Sequence, residues 1–106
     1  MATGRVATVA PSATSLATIY TVPIGYYGIY NISITNTNTT PVTIRLAVAS
    51  GATPNANEYI EYNATIVGQG VLERTGIVAG AGVYIVGYAS NSLVNFNVWG
   101  IETSTT

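Results

Sequence analysis

A chain of 106 residues with 48% hydrophobic but only 7% charged residues fits one domain with a neutral, polar surface, far below the roughly 25% charge of an ordinary domain. Its richness in Val, Ile, Thr and Tyr suits pleated strands and excludes a disordered chain. With a net charge of -1 and only Arg5, Arg45 and Arg74 as basic side chains, it lacks the clustered cations that nucleic acid or an anionic membrane surface requires, and neither is an expected partner.

Residues 1–15 read as an N-terminal arm. Arg5 to Ala10 has the makings of a short strand, but Pro11-Ser12-Ala13-Thr14-Ser15 interrupts it. The start lacks the continuous apolar core of a secretory signal. The most apolar stretch, Ile77 to Ala89, is broken by glycine and shorter than the ~20 residues of a membrane span. The expectation is a soluble protein made in the cytoplasm.

Residues 16–102 read as a β-sandwich domain. Leu16 to Val22 is the first core strand, ended by Pro23, which cannot donate to a ladder. Tyr26 to Thr35 follows, with Tyr30, Ile32 and Ile34 on one face and Asn31, Ser33 and Thr35 on the other. After the polar turn Asn36 to Pro41, Val42 to Ala49 alternates most cleanly. Val42, Ile44, Leu46 and Val48 point inward, and the strand is expected to pair with the one before it. Ser50 to Asn57 is a loop. Glu58 to Ile66 is a strand with Ile60, Tyr62, Ala64 and Ile66 on one face. Val71 to Thr75 reads as a short edge strand. Val83 to Ala89 and Leu93 to Ile101 read as a hairpin around Ser90-Asn91-Ser92, and residues 103–106 as a loose tail. No helical period appears. Seven to eight short strands imply an all-β fold, an antiparallel β-sandwich or jelly roll, with a closed barrel as the structural alternative.

The sequence contains no His, Cys, Asp or Lys. The usual general bases, thiol nucleophiles and Schiff-base amines are therefore missing, and a Ser-His-Asp triad cannot be assembled. Zinc loses its His and Cys ligands, a calcium loop its Asp. No phosphate-binding glycine motif is present. Glu58 and Glu61, the close carboxylate pair, point to opposite faces of a strand rather than into one cleft. They read as a solvated edge or as partners of an Arg. No catalytic, cofactor or metal residue is assigned, and an enzyme is not expected. Three sequons begin at Asn31, Asn38 and Asn63, matches that chance supplies in a chain this rich in Asn and Thr.

Eight tyrosines and Trp99 stand out. They read first as core and interface packing, and second as a sugar-binding platform. Tyr26 and Tyr27 point to opposite faces, so one ring is expected on an outer face. Neutral strands with few Lys or Glu leave sheet edges weakly protected unless neighbouring subunits cover them. Self-association and docking on other proteins are therefore expected.

The segments Thr14-Ser15-Leu16-Ala17-Thr18-Ile19-Tyr20-Thr21-Val22-Pro23-Ile24-Gly25, Ile32 to Asn36, Val42 to Val48, Glu58 to Tyr62 and Val94 to Glu102 resemble small β-sandwich structural proteins of tailed bacteriophages, over residues 14–102. Such proteins serve as capsid decoration (cement) proteins, often trimers on the outer capsid lattice, or as tail-associated modules. The resemblance implies a virion location, on the capsid exterior rather than the tail, a homo-oligomer, expected as a trimer, and the major capsid protein or other virion proteins as partners. Gly80-Ala81-Gly82 departs from the pattern, since relatives often carry an acidic residue there. The residues expected at an interface are Arg5, Val6, Val9 and Pro11 of the arm, with Tyr27, Tyr59 and Trp99. Alternatives are a tail, neck or fibre-adaptor component and, in another class, a carbohydrate-binding module.

Overall fold

Runs of alternating apolar and polar residues, cut by Pro, Gly and Asn, produce eight strands in the computed structural model, which describes residues 3–105. They are β1 (Thr3–Val9), β2 (Ser15–Thr21), β3 (Tyr26–Asn36), β4 (Val42–Ala49), β5 (Tyr59–Ile66), β6 (Val71–Ala79), β7 (Tyr84–Ala89) and β8 (Val94–Ser104), with a 3-10 turn at Ala56–Glu58. Two antiparallel four-stranded sheets result, ordered β1-β8-β3-β6 and β2-β7-β4-β5. The pairs β1–β8, β2–β7, β3–β6 and β4–β5 are those of one long hairpin whose tip lies between β4 and β5. The pairs β3–β8 and β4–β7 form when that hairpin rolls onto itself. This is the order of an eight-stranded jelly roll, and it bears out the all-β sandwich.

The pairing of neighbours differs from expectation. β4 does not pair with β3; it lies in the other sheet, between β7 and β5. The segment between β3 and β4 crosses the sandwich, held by buried Asn36. The Asn36 side-chain amide donates to the carbonyls of Thr40 (2.9 Å), Ile66 (3.2 Å) and Val67 (3.1 Å), and its oxygen accepts from the Asn38 N–H (2.9 Å). Likewise β7 and β8 are not a hairpin, because the chain crosses between sheets there. Alternation says which face of a strand is buried, not which strand lies beside it.

Near both chain ends the described residues are strands, and residues 1, 2 and 106 of the expected arm and tail lie outside them. The expected arm contributes β1, an edge strand paired with β8 from Thr3↔Ile101 to Val9↔Phe96. Val6, Ala7 and Val9 pack against the core, and Pro11 is buried. The expected tail extends β8 to Ser104, and the Thr105 N–H donates to the Gly25 carbonyl (2.9 Å). β6 runs beyond Thr75 to Ala79. Gly76, at φ 70°, sits in a bulge opposite Asn31, whose side-chain oxygen accepts its N–H at 3.0 Å. A bulge leaves one backbone group out of the ladder, and Asn31 satisfies it.

The core lies between the sheets, built from Ile32 and Ile34 of β3, Ile44 and Leu46 of β4, and Phe96 and Val98 of β8. At one end it turns polar. Tyr30 is fully buried, and its ring lies where side chains of Gly28 and Gly100 would be: a Cβ at either glycine would come within 2.5 Å of a Tyr30 atom. Its hydroxyl donates to Glu102 Oε2 at 2.8 Å. Tyr20, from the opposite sheet, donates to the same oxygen. Glu102 is 1% exposed, so these phenols replace water around a carboxylate that could not otherwise be buried at tolerable cost. At the β5/β6 edge an Arg74–Glu61 ion pair joins the two sheets.

Two predictions follow from this end of the core. Gly100→Ala forces a methyl against Tyr30 and against the Ile29 carbonyl oxygen, 2.7 Å away. It is expected to lower stability in urea unfolding by about 1–3 kcal/mol, the usual cost of overpacking. Gly80→Ala, with nothing within 4 Å, is expected to change it by less than about 0.5 kcal/mol. The second concerns alkali. Burial and then the hydrogen bond to Glu102 push Tyr20 up to about 12, and Tyr30 is raised by the same causes. A phenol raised on folding stabilises fully below its unfolded value near 10, and that contribution is lost as pH rises toward the folded one. Stability is therefore expected to fall between about pH 10 and 12, and Tyr20→Phe to flatten that fall; denaturant unfolding across this range, with absorbance titration of the tyrosinates, measures both.

Candidate functional site

Because β3 and β8 pair without a break from Tyr26↔Ser104 to Asn36↔Val94, the residues between their core positions form continuous rows on the outer face of the sheet. Ile29 lies opposite Ile101 on one side and Val78 of β6 on the other. These three are 53%, 63% and 68% exposed: an apolar row across three strands, facing away from the core. Tyr27, also exposed, lies in the row above. Trp99 lies in the row below, between Arg5 of β1 and Asn31 of β3. A shallow groove follows the ladder between Tyr27, Ile29 and Asn31 on one wall and Ile101 and Thr103 on the other, floored by Gly28 and Gly100. A second hollow lies among Trp99, Asn31, Thr75 and Glu73. Exposed apolar patches of this kind, rimmed by polar residues, mark surfaces that meet other molecules.

Arg5, Tyr27 and Trp99 of the expected interface are thus brought together on one face. Val6, Val9 and Pro11 are not; they serve the sandwich itself. Tyr59 lies on the opposite sheet. There Tyr59 and Tyr84 cover Ala47, Ala49 and Val86, so the outer side of β4 at Ala47 is buried rather than exposed. Tyr59 also meets Tyr62 edge to face at 5.1 Å. β5 does not keep the alternation expected for Ile60 to Ile66. Asn63, at φ 52°, forms a bulge with Tyr62 opposite Arg45. The bulge brings both residues onto Arg45: its guanidinium lies 4.4 Å from the Tyr62 and Tyr88 ring centroids, and its Nε donates to Asn63 Oδ1 at 2.8 Å. Tyr62 and Tyr88 thus each give one ring face to Arg45.

Both carboxylates of the Glu58/Glu61 pair have structural employment. Glu61 holds Arg74, as the Arg-partner reading of the pair allowed. Glu58 accepts the N–H groups of Asn55 (2.8 Å) and Ser50 (3.0 Å), which hold its carboxyl below the usual range and close the loop before β5. Among the described residues, no group of three or more His, Cys, Asp or Glu gathers to hold a metal, and no helix is long and apolar enough to cross a membrane. The outer face of β1-β8-β3-β6 offers apolar burial with a polar rim, which is the chemistry of docking.

Sequence reasoning passed over Ile29, Val78 and Ile101. The signal was available, since Ile29 continues the outward phase set by Asn31 and Ser33. Glu102 was also passed over, although it continues the inward series Val94, Phe96, Val98 and Gly100.

On the tyrosine face, Arg45→Ala removes two ring contacts and a side-chain hydrogen bond. The expected loss is about 1–2 kcal/mol in urea unfolding, with Arg45→Lys recovering less than half, because an ammonium cannot stack flat between two rings.

Comparison with protein-family models, with curated proteins and with solved structures finds no match.

Proposed function

We propose that this chain is a structural protein of a tailed-phage virion, a capsid decoration protein that binds and bridges major capsid subunits, and that the outer face of β1-β8-β3-β6 is its protein-docking surface. The observation that carries the reading is the exposed Ile101–Ile29–Val78 row with Tyr27 and Trp99 beside it. Apolar and aromatic groups at the centre of a face, with Asn and Thr around them, have the composition of interface cores. The jelly-roll order supports the same reading, since capsid domains use it. So does the sequence, which has no His, Cys, Asp or Lys with which to build a proton shuttle or thiol nucleophile. Weak contacts repeated over a symmetric shell give firm attachment without a tight single site.

The test is co-sedimentation of the purified protein with expanded, undecorated phage shells, together with quantitative mass spectrometry of particles. The protein is expected to sediment with shells in a copy number set by the capsid lattice. Ile101→Glu, with circular dichroism unchanged, is expected to weaken binding by about tenfold or more, the effect of losing one interface anchor. A copy number tied to tail symmetry would move the protein to the tail. Turnover of a substrate, or absence from every particle, would overturn the reading.

A further inference from the structure

Arg5 and Glu73 are exposed on the same sheet face, and among the described residues neither makes an ion pair or a side-chain hydrogen bond. Arg5 stands on edge strand β1, beside Trp99; Glu73 stands on the opposite edge strand, β6, beside Ser33. Arg74, next in sequence, points the other way and holds Glu61. The face thus has one cation at one edge, one anion at the other, and the apolar row between.

From this pattern we propose that the face is occupied first by a second copy of the same chain, packed sheet on sheet about a two-fold axis parallel to the strands. The proposal rests on the docking reading above and names its partner. Such an axis lays β1 of one copy over β6 of the other and β8 over β3. It brings Ile29 of one copy onto Ile101 of the other, and Arg5 of each copy to the edge that carries Glu73 of its mate. The two charges differ by one row, two residues along the strands or about 7 Å, which long side chains and the usual crossing of packed sheets span. A two-fold axis across the strands would instead lay β1 over β1 and leave both charges without partners. Four strands about 4.8 Å apart and some 30 Å long give a plan area on the order of 600 Å², comparable with the roughly 800 Å² of accessible surface each partner gives to a standard interface. An isologous face closes at two copies, each contact being made twice. The dimer would then meet the shell through its two outer β2-β7-β4-β5 sheets, and Ile101→Glu would weaken shell binding by undoing the pairing that makes attachment bivalent.

Native mass spectrometry and light scattering of the full chain test the proposal. The expected species has twice the 11.0 kDa chain mass. Ile29→Lys, on an exposed position that leaves the fold intact by circular dichroism, is expected to give monomers. Arg5→Glu is expected to weaken the dimer about tenfold, Glu73→Arg likewise, and the double exchange to restore it to within about threefold of the original, because it reverses the charges without changing their pairing. A monomer at high concentration, a trimer, a dimer indifferent to Ile29→Lys, or a double exchange that fails to restore association would overturn the proposal. Shell binding of the same variants separates the two readings. A chain that is monomeric yet decorates shells refutes only the self-pairing, whereas a dimer that never meets a shell refutes the capsid role and leaves the self-pairing standing.

Discussion

The unbroken eleven-residue ladder between β3 and β8 is the constraint on which the rest of the molecule depends. It runs down the middle of one sheet, and its two faces have different work. Inward, it supplies Tyr30, Ile32, Ile34, Phe96 and Val98 to the core. Outward, it supplies Tyr27, Ile29, Trp99 and Ile101 to the exposed face. A slip of one residue in either strand would exchange these sets. Tyr30 opposes that slip sterically. Its ring fits only over positions with no Cβ, and the ladder places it between Gly28 on its own strand and Gly100 on the next. Glu102 opposes it electrostatically, since only this register points its carboxylate at the Tyr20 and Tyr30 hydroxyls.

Local strand character was legible in the sequence; strand pairing was not. Val42 to Leu46 and Val94 to Val98 show in their alternation alone which residues enter the core, whereas Ala47 and Ala49, on the other face, are buried under Tyr59 and Tyr84. The neighbours of those strands depend on where the chain crosses between sheets, and here the crossings lie in polar segments that also read as ordinary turns. Asn36 illustrates the difficulty. In the sequence it is one Asn in a turn-forming run; in the fold its side chain ties four backbone groups from two separate loops. The bulges were hidden for a related reason. A bulge shifts the side-chain phase by one residue, so Tyr62 and Ala64, two apart in sequence, face opposite sides. Asn63 hints at this only through the tolerance of Asn for a left-handed backbone.

The candidate surface was half legible. Trp99 and Tyr27 announce themselves as large aromatic rings in an outward phase, and Arg5 as a rare charge. The isoleucines and Val78 are less conspicuous: Ile29 follows the outward phase of Asn31 and Ser33, but a single apolar residue on the outer side of a strand is ordinary until its neighbours there are known. Only the register shows that Ile29, Val78 and Ile101 lie in one row on the side away from the core.

Scarcity of charge makes the placement of each charged group informative. Seven such side chains occur in the chain. Glu102 accepts two phenols in the core, Arg74 and Glu61 join the sheets, Glu58 fastens a loop, and Arg45 is stacked between two tyrosines. Five of the seven are thus explained by the fold of a single chain. The remaining two, Arg5 and Glu73, have opposite sign, lie on opposite edges, and share the face that also carries the uncovered apolar row. If exposed charge served only solubility, these two would have no reason to fall on the one face richest in exposed isoleucine. Their positions suit a contact in which apolar centres meet and edge charges choose the orientation, and that division of labour is how electrostatics ordinarily acts at protein interfaces.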